Sequence, residues 1–188
     1  MIGYAFTGSF CTLSRSIREL EWLASAGYEI QPIMSENVYS TDTRFFKAED
    51  FKKRVRACTS AEIIHTVKDA EPLGPRMPLD ALIISPCTGN TLAKISHGIT
   101  DTAVTMAAKA HLRCDRPLLI ALASNDAMSQ NLSNIARLLT RKSVYFLPMV
   151  QDDPEGKPHS LVADFERLGE AFHAMEHSQQ LRPLFLTV

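Results

Sequence analysis

Leu82–Asp101, LIISPCTGNTLAKISHGITD, is the stretch whose reading decides the fold. Ala81 to Ile84 is a short apolar run, of the length and branching of a strand buried on both faces. Pro86 cannot donate to a ladder and is expected to stop that strand. Thr88, Gly89, Asn90 and Thr91 follow, small and rich in donors, and then Leu92, Ile95 and Ile99 keep helical spacing with Lys94 on the polar side. A strand emptying into a polar, glycine-containing turn at a helix N-terminus can cradle an anion or cofactor. An ordinary strand–loop–helix connection has the same appearance, so neighbouring segments must decide.

They repeat the pattern. Ile2–Phe6 reads as a strand closed by Thr7-Gly8-Ser9, where glycine permits a tight turn and the Thr7 and Ser9 hydroxyls can bond a phosphate. A helix follows over Ser14–Ala26, with Gly27 in the position of a helix stop. Leu118–Ala123 is another apolar strand ending in Ser124-Asn125-Asp126, before a helix through Leu132, Ile135 and Leu139. Tyr28–Met34, ending at Ser35, and Val144–Leu147 supply further strands. Neither G-x-G-x-x-G nor GK[ST] occurs, so this is neither the dinucleotide fingerprint nor a Walker loop.

Other segments give local expectations. Phe51 and Val55 mark a helix to about Ala57. Thr59 and Glu62 have capping-box spacing, although Ile63-Ile64 after them reads equally as a short strand. The proline-dense Glu71–Pro78 is a stiff loop. Asp101 is expected to cap a helix running to Arg113. Met149–Ser160 reads as a polar loop, Leu161–Met175 as a helix, and Leu181–Val188 as an apolar tail that packs on the core or on a partner.

Strands alternating with helices, several apolar throughout, predict an α/β fold with a mostly parallel sheet covered on both faces, in a single domain spanning residues 1–188. In such sheets ligands sit beyond the carboxyl ends of the strands, at the topological switch point. The turns after Phe6, Ser85 and Ala123 all lie at those ends, and this convergence points to a nucleotide-like ligand.

Composition narrows the class. Hydrophobic residues make up 45%, charged residues 22%, and the formal net charge is −1, so no nucleic-acid surface is expected. No apolar run approaches the roughly 18 residues of a membrane span. Cys11, Cys58, Cys87 and Cys114 form no CxxC pair, which argues against a zinc site and fits reduced thiols in the cytoplasm. Cys11 and Cys87 each lie just past a strand end and are expected near one another.

The TGS turn and the run P-x-T-x-N-T-x-x-K-x-x-x-G-x-x-D, from Pro86 to Asp101, resemble the homo-oligomeric flavin-containing cysteine decarboxylase superfamily. Asn125 and Met128 resemble part of its P-x-M-N-x-x-M motif, although Leu122 and Ser124 replace the expected Pro and Met. T-x-T-R-F around Arg44, AEPLGPRMPLD and QDDPEGKPHSLVAD resemble one branch in particular, whose members pair with a dinucleotide-binding subunit to oxidise a dihydropyridine dicarboxylate in sporulating cells. The resemblance implies a Rossmann-like three-layer flavoprotein fold, FMN as cofactor and a homo-oligomer. It implies that Gly8, Ser9 and Ser35 hold the phosphate. Pro86, Thr88 and Asn90 would border the ring system, and Ser124 and Asn125 would close the far wall. By the same resemblance, Pro72 stands where the decarboxylases carry a catalytic histidine, so cysteine decarboxylation is disfavoured.

A small dicarboxylate substrate calls for paired cationic donors. Arg15, Arg44, Arg76, Lys94, His97 and His159 are available, and Arg44 and Lys94 lead because they lie inside matching motifs. No catalytic acid–base set is visible. Three readings stay open: an oxidoreductase subunit, a flavin enzyme of another class such as a decarboxylase or prenyltransferase, and a non-catalytic partner of the dinucleotide-binding subunit.

Overall fold

The computed structural model describes residues 1–187. In chain order the elements are β1 (Ile2–Phe6), α1 (Leu13–Ser25), β2 (Ile30–Met34), α2 (Glu36–Ser40), α3 (Ala48–Ala57), α4 (Val67–Ala70), β3 (Ala81–Cys87) and α5 (Gly89–His97). They continue with α6 (Ala103–Leu112), β4 (Leu118–Ser124), α7 (Leu132–Leu139), β5 (Val144–Phe146), β6 (Met149–Val150), β7 (Leu161–Ala163), α8 (Leu168–Glu176) and β8 (Phe185–Leu186). Strands β2, β1, β3, β4 and β5 lie side by side and all parallel. Every residue of β1 to β4 is buried, as a sheet covered on both faces demands.

Alternation along the strands divides the core into two layers. Ala5, Leu82, Ile84, Leu118, Ile120 and Leu122 face α4, α5, α6 and α7. Tyr4, Phe6, Ile83, Leu119 and Ala121 face α1, α3 and α8. The result is the expected three-layer α/β architecture. The order 2-1-3-4-5 reverses between β1 and β3, and that is where a ligand cleft opens in such sheets.

Local expectations needed correction. Pro86 does not end β3, which runs on to Cys87 through a register shift between Ile84 and Cys87 that takes the missing N–H out of the ladder. Gly98, at φ +74°, ends α5 at His97 and leaves Ile99 49% exposed, off the helix. Thr102, not Asp101, caps α6, through a reciprocal capping box with Thr105. Thr59 caps no helix; its hydroxyl donates to the Ile30 carbonyl, and Ile64 forms an isolated parallel bridge with Ile33.

The largest difference is at Leu161–Met175, expected as one helix. Leu161–Ala163 is instead strand β7, antiparallel to the end of β4 through Ala123↔Val162 and Ser124↔Leu161, and a 3₁₀ turn leads into α8. β5 covers only the first half of β4, so the second half had an open edge to pair. The apolar tail adds β8 as a parallel edge strand on β6, with Leu181 and Leu184 packed on the two layers. Val188, the last residue of that tail, lies outside the described residues.

Candidate functional site

A cavity of about 660 Å³ opens at the carboxyl ends of β1, β3 and β4, within the size range of small-ligand sites. Its wall is built from three turns and two longer connections. Gly8, Ser9, Phe10, Cys11, Thr12 and Arg15 come from the β1–α1 connection, Thr88 and Gly89 from the start of α5, and Ala123, Ser124 and Asn125 from the end of β4. Arg44 and Phe45 join from the segment between α2 and α3, and Val150, Asp152, Lys157 and Val162 from β6, β7 and their connection.

Hydrogen bonds hold the turns in place. The Thr12 hydroxyl donates back to the Ser9 carbonyl at 2.9 Å, which sets the turn before α1. Tyr4 Oη donates to the Ser16 carbonyl at 2.8 Å, and Ser16 Oγ donates to the Ser85 carbonyl at 2.5 Å, docking α1 on β1 and β3. The Thr88 hydroxyl caps α5 by accepting from the Thr91 amide at 3.2 Å. At the far wall the Ser124 hydroxyl donates to Asp126, whose two carboxylate oxygens each accept from Asn131 Nδ2 at 3.0 Å. The Ser124 hydrogen bond, followed by that from Asn131, holds the Asp126 carboxyl below its ordinary pKa. Glycine at 89 leaves room for this network, since a Cβ would lie 2.6 Å from Asn131 Nδ2 and 2.7 Å from Asp126 Oδ1 and would force those side chains to shift.

Gly8, Ser9, Thr88, Ser124, Asn125 and Arg44, all singled out from the sequence, meet at this one cavity. The others fall elsewhere. Lys94 is not in the wall; its ammonium is drawn 2.8 Å from Asp101. Asn90 is exposed on α5 and also stands outside the wall. Pro86 is buried behind it, with its carbonyl accepting from the Thr7 hydroxyl at 2.8 Å. Thr7 is buried and spends its hydroxyl within the protein, so it is not the phosphate donor expected of it.

Ser35 also stands outside the wall, at the end of β2, its amide donating to the Phe6 carbonyl at 3.0 Å. Its Oγ is buried with no hydrogen-bond partner among the described residues. Of the two cysteines expected together, Cys11 is exposed and lines the cavity while Cys87 is fully buried.

Arg15, Asp152 and Lys157 are the charged wall residues that sequence reading missed or ranked low. Asp152 accepts from Ser160 Oγ at 2.8 Å and lies 3.4 Å from Lys157 Nζ. Burial alone would push its carboxyl up, but the Ser160 and Lys157 contacts outweigh that and hold it below the usual range. The polar connection that carries Asp152 and Lys157 has no periodicity to signal its position. Its return over the cavity follows from the β7 pairing, at a place where the spacing predicts helix.

The strand order, the cleft at the β1/β3 switch point and the turn chemistry define a flavoprotein-type α/β fold. The Flavoprotein family model matches residues 1–168, and the chain belongs to that family. Within it, the chain is a homologue of the B subunit of dipicolinate synthase: it is 40% identical to that subunit of Bacillus subtilis strain 168 over 185 residues, 98% of this chain and 92% of the relative. The crystal structure of the corresponding dipicolinate synthase B subunit from Bacillus halodurans superposes with a TM-score of 0.91 at 37% identity, covering 99% of this chain and 95% of that one. A dodecameric FMN-dependent UbiX-like decarboxylase from Escherichia coli O157:H7 shares the fold at a TM-score of 0.64 and 23% identity, covering 78% of this chain and 79% of that one.

Proposed function

We propose that this chain is an FMN-binding subunit that, with the dinucleotide-binding subunit of dipicolinate synthase, helps oxidise a dihydrodipicolinate-type precursor to dipicolinate during sporulation in the cytoplasm. The observation that carries the cofactor reading is the meeting of Gly8, Ser9, Thr88, Ser124 and Asn125 in one cavity at the strand ends, with the Ser35 hydroxyl, just outside that wall, buried and unpartnered at the end of β2. A buried polar group without a partner costs about 1–3 kcal/mol, and a phosphate at the ends of β1 and β2 would satisfy it. Gly8, Ser9 and Ser35 then hold the phosphate. Thr88, Ser124 and Asn125 border the ring, and Phe10, Phe45, Val150 and Val162 supply the apolar surface that keeps water from it.

Bound flavin supplies a two-electron acceptor. The chain's own residues orient and desolvate: the capped start of α5 and the Ser124–Asp126–Asn131 network fix two sides of the cavity in advance. Pro72, which the resemblance sets where the decarboxylases carry a catalytic histidine, offers no imidazole, in keeping with a reaction other than histidine-dependent decarboxylation. Support for a partner subunit comes from the two dipicolinate synthase relatives, each a B subunit, and support for self-assembly from the dodecameric decarboxylase that shares the fold.

Flavin titration by fluorescence quenching tests the cofactor, with Ser35→Leu expected to weaken binding in a folded protein. For the reaction, the precursor is supplied with flavin and nicotinamide to this chain, to the dinucleotide-binding partner and to their mixture. Turnover by the mixture alone is expected. Full activity of the partner by itself would make this chain a non-catalytic companion.

A further inference from the structure

The cavity wall carries Arg15, Arg44 and Lys157, from α1, the α2–α3 segment and the β6–β7 connection, with Asp152 as its carboxylate among the described residues. Three positive charges less one leave +2 at the site, in a chain whose formal net charge is −1. The hydroxyls and amides of the β1 and β2 turns are at hand for the flavin phosphate, and the three cations, contributed by three separate elements, are side chains of the same wall available to a second anion.

Both arginines are stacked on a phenylalanine ring. The Arg15 guanidinium lies 5.0 Å from the centre of the Phe165 ring, and that of Arg44 lies 4.9 Å from the Phe45 ring. Neither has an acidic partner among the described residues, whereas Arg54 and Arg167 are each 2.7–2.8 Å from a glutamate, Glu21 and Glu170. Stacking restrains one face of a guanidinium and leaves its in-plane N–H fork unspent, the geometry that takes a carboxylate through two parallel hydrogen bonds. Lys157 is a point charge on a flexible stem, and it is restrained by Asp152, itself held by Ser160.

We propose that Arg15, Arg44 and Lys157 form a carboxylate clamp that selects a planar ligand bearing two carboxylates over one bearing a single carboxylate. The inference rests on the reading of this cavity as the site of pyridine-dicarboxylate chemistry. It assigns the substrate anion to Arg15 and Lys157 alongside Arg44, in place of Lys94. A dicarboxylate can engage both guanidinium forks, and a monocarboxylate leaves one of them without a carboxylate partner, which costs it affinity.

The test is calorimetric titration of the full FMN-saturated chain with pyridine-2,6-dicarboxylate and with pyridine-2-carboxylate. The dicarboxylate is expected to bind at least tenfold more tightly. Arg15→Gln and Arg44→Gln are each expected to bring that ratio below threefold, and Lys157→Met to weaken the dicarboxylate more than the monocarboxylate. Arg15→Lys and Arg44→Lys, which keep charge but lose the fork, should give intermediate ratios, and they serve if a glutamine variant does not fold. A wild-type ratio near one, or a ratio unchanged in both arginine variants, overturns the clamp. Flavin affinity measured on the same proteins separates the two readings. Selectivity for the dicarboxylate in a chain that binds no flavin would overturn the cofactor assignment and uphold the clamp.

Discussion

Thr7 and Thr88, from different turns, share one hydroxyl: Thr7 Oγ1 accepts from the Thr88 amide at 2.9 Å and donates to the Pro86 carbonyl at 2.8 Å. The β1 turn and the start of α5, two walls of the cavity, are therefore fixed relative to each other at a buried point. Thr7→Val keeps the shape but orphans the Thr88 N–H, and should cost about 1–3 kcal/mol. Because the misplaced turns border the cavity, flavin affinity should fall as well. Thr7→Ser should retain most of both. Urea denaturation and flavin quenching check this, and a valine variant equal to wild type in both would refute the coupling.

The strand-end turns were legible because each follows a wholly apolar run, and an apolar run before Gly, Ser and Thr leaves few other structures possible. Lys94 misled because it lies in a matching motif. Its amine has a partner seven residues on, and no spacing rule shows which of two carboxylate attractors will hold it. Asp152 and Lys157 were hidden for a different reason. Leu161, Phe165, Leu168 and Phe172 keep helical spacing, so nothing in the pattern shows that Leu161–Ala163 answers to the open edge of β4. Only that pairing brings the preceding loop to the site.

Gly89→Ala sets two effects against each other. Alanine favours the helix by about 1 kcal/mol, but its Cβ would overlap the Ser124 hydroxyl and crowd Asp126 and Asn131. Overpacking of this kind costs about 1–3 kcal/mol, so net destabilisation is expected. Ser124→Ala in the same chain removes the overlapping oxygen, so the double variant should lose less than the sum of the two singles. Strict additivity in denaturant titrations would show that the crowding is relieved elsewhere.

His111 predicts an acid limit to stability. Its Nε2 is 2.8 Å from the Pro117 carbonyl, while Nδ1 is buried without a partner among the described residues. Burial holds the imidazole below its ordinary pKa, outweighing the Pro117 contact that acts the other way. As pH falls below about 6.5 the unfolded chain therefore takes up a proton that the native chain refuses. Stability is then present above that pH and lost as pH drops, by at most about 1.4 kcal/mol per unit for one proton. His111→Gln can donate to the same carbonyl without titrating. Its urea midpoint should vary less between pH 5 and 7 than that of the wild type, and equal slopes would exclude His111 as the source.

The last prediction concerns Cys11 and Cys87, expected from the sequence as neighbours at the cofactor edge. Cys11 is exposed and part of the cavity wall, while Cys87 is fully buried and burial pushes its thiol well above the ordinary range. Thiolate is the reacting form, so Cys87 is doubly protected, by access and by protonation. A redox exchange between the two is therefore not expected. In the folded protein an alkylating reagent at neutral pH should modify Cys11 and leave Cys87 untouched until denaturant is added, as read by peptide mass spectrometry. If flavin occupies the cavity, then at ten times its dissociation constant it should slow Cys11 labelling about tenfold, in proportion to the remaining free sites. Cys58 and Cys114, partly buried away from the cavity wall, supply the internal control, since flavin should leave their rates unchanged. Labelling of Cys11 that ignores saturating flavin would place the cofactor away from the β1 turn. Labelling of Cys87 at the rate of Cys11 would show that the end of β3 opens in solution.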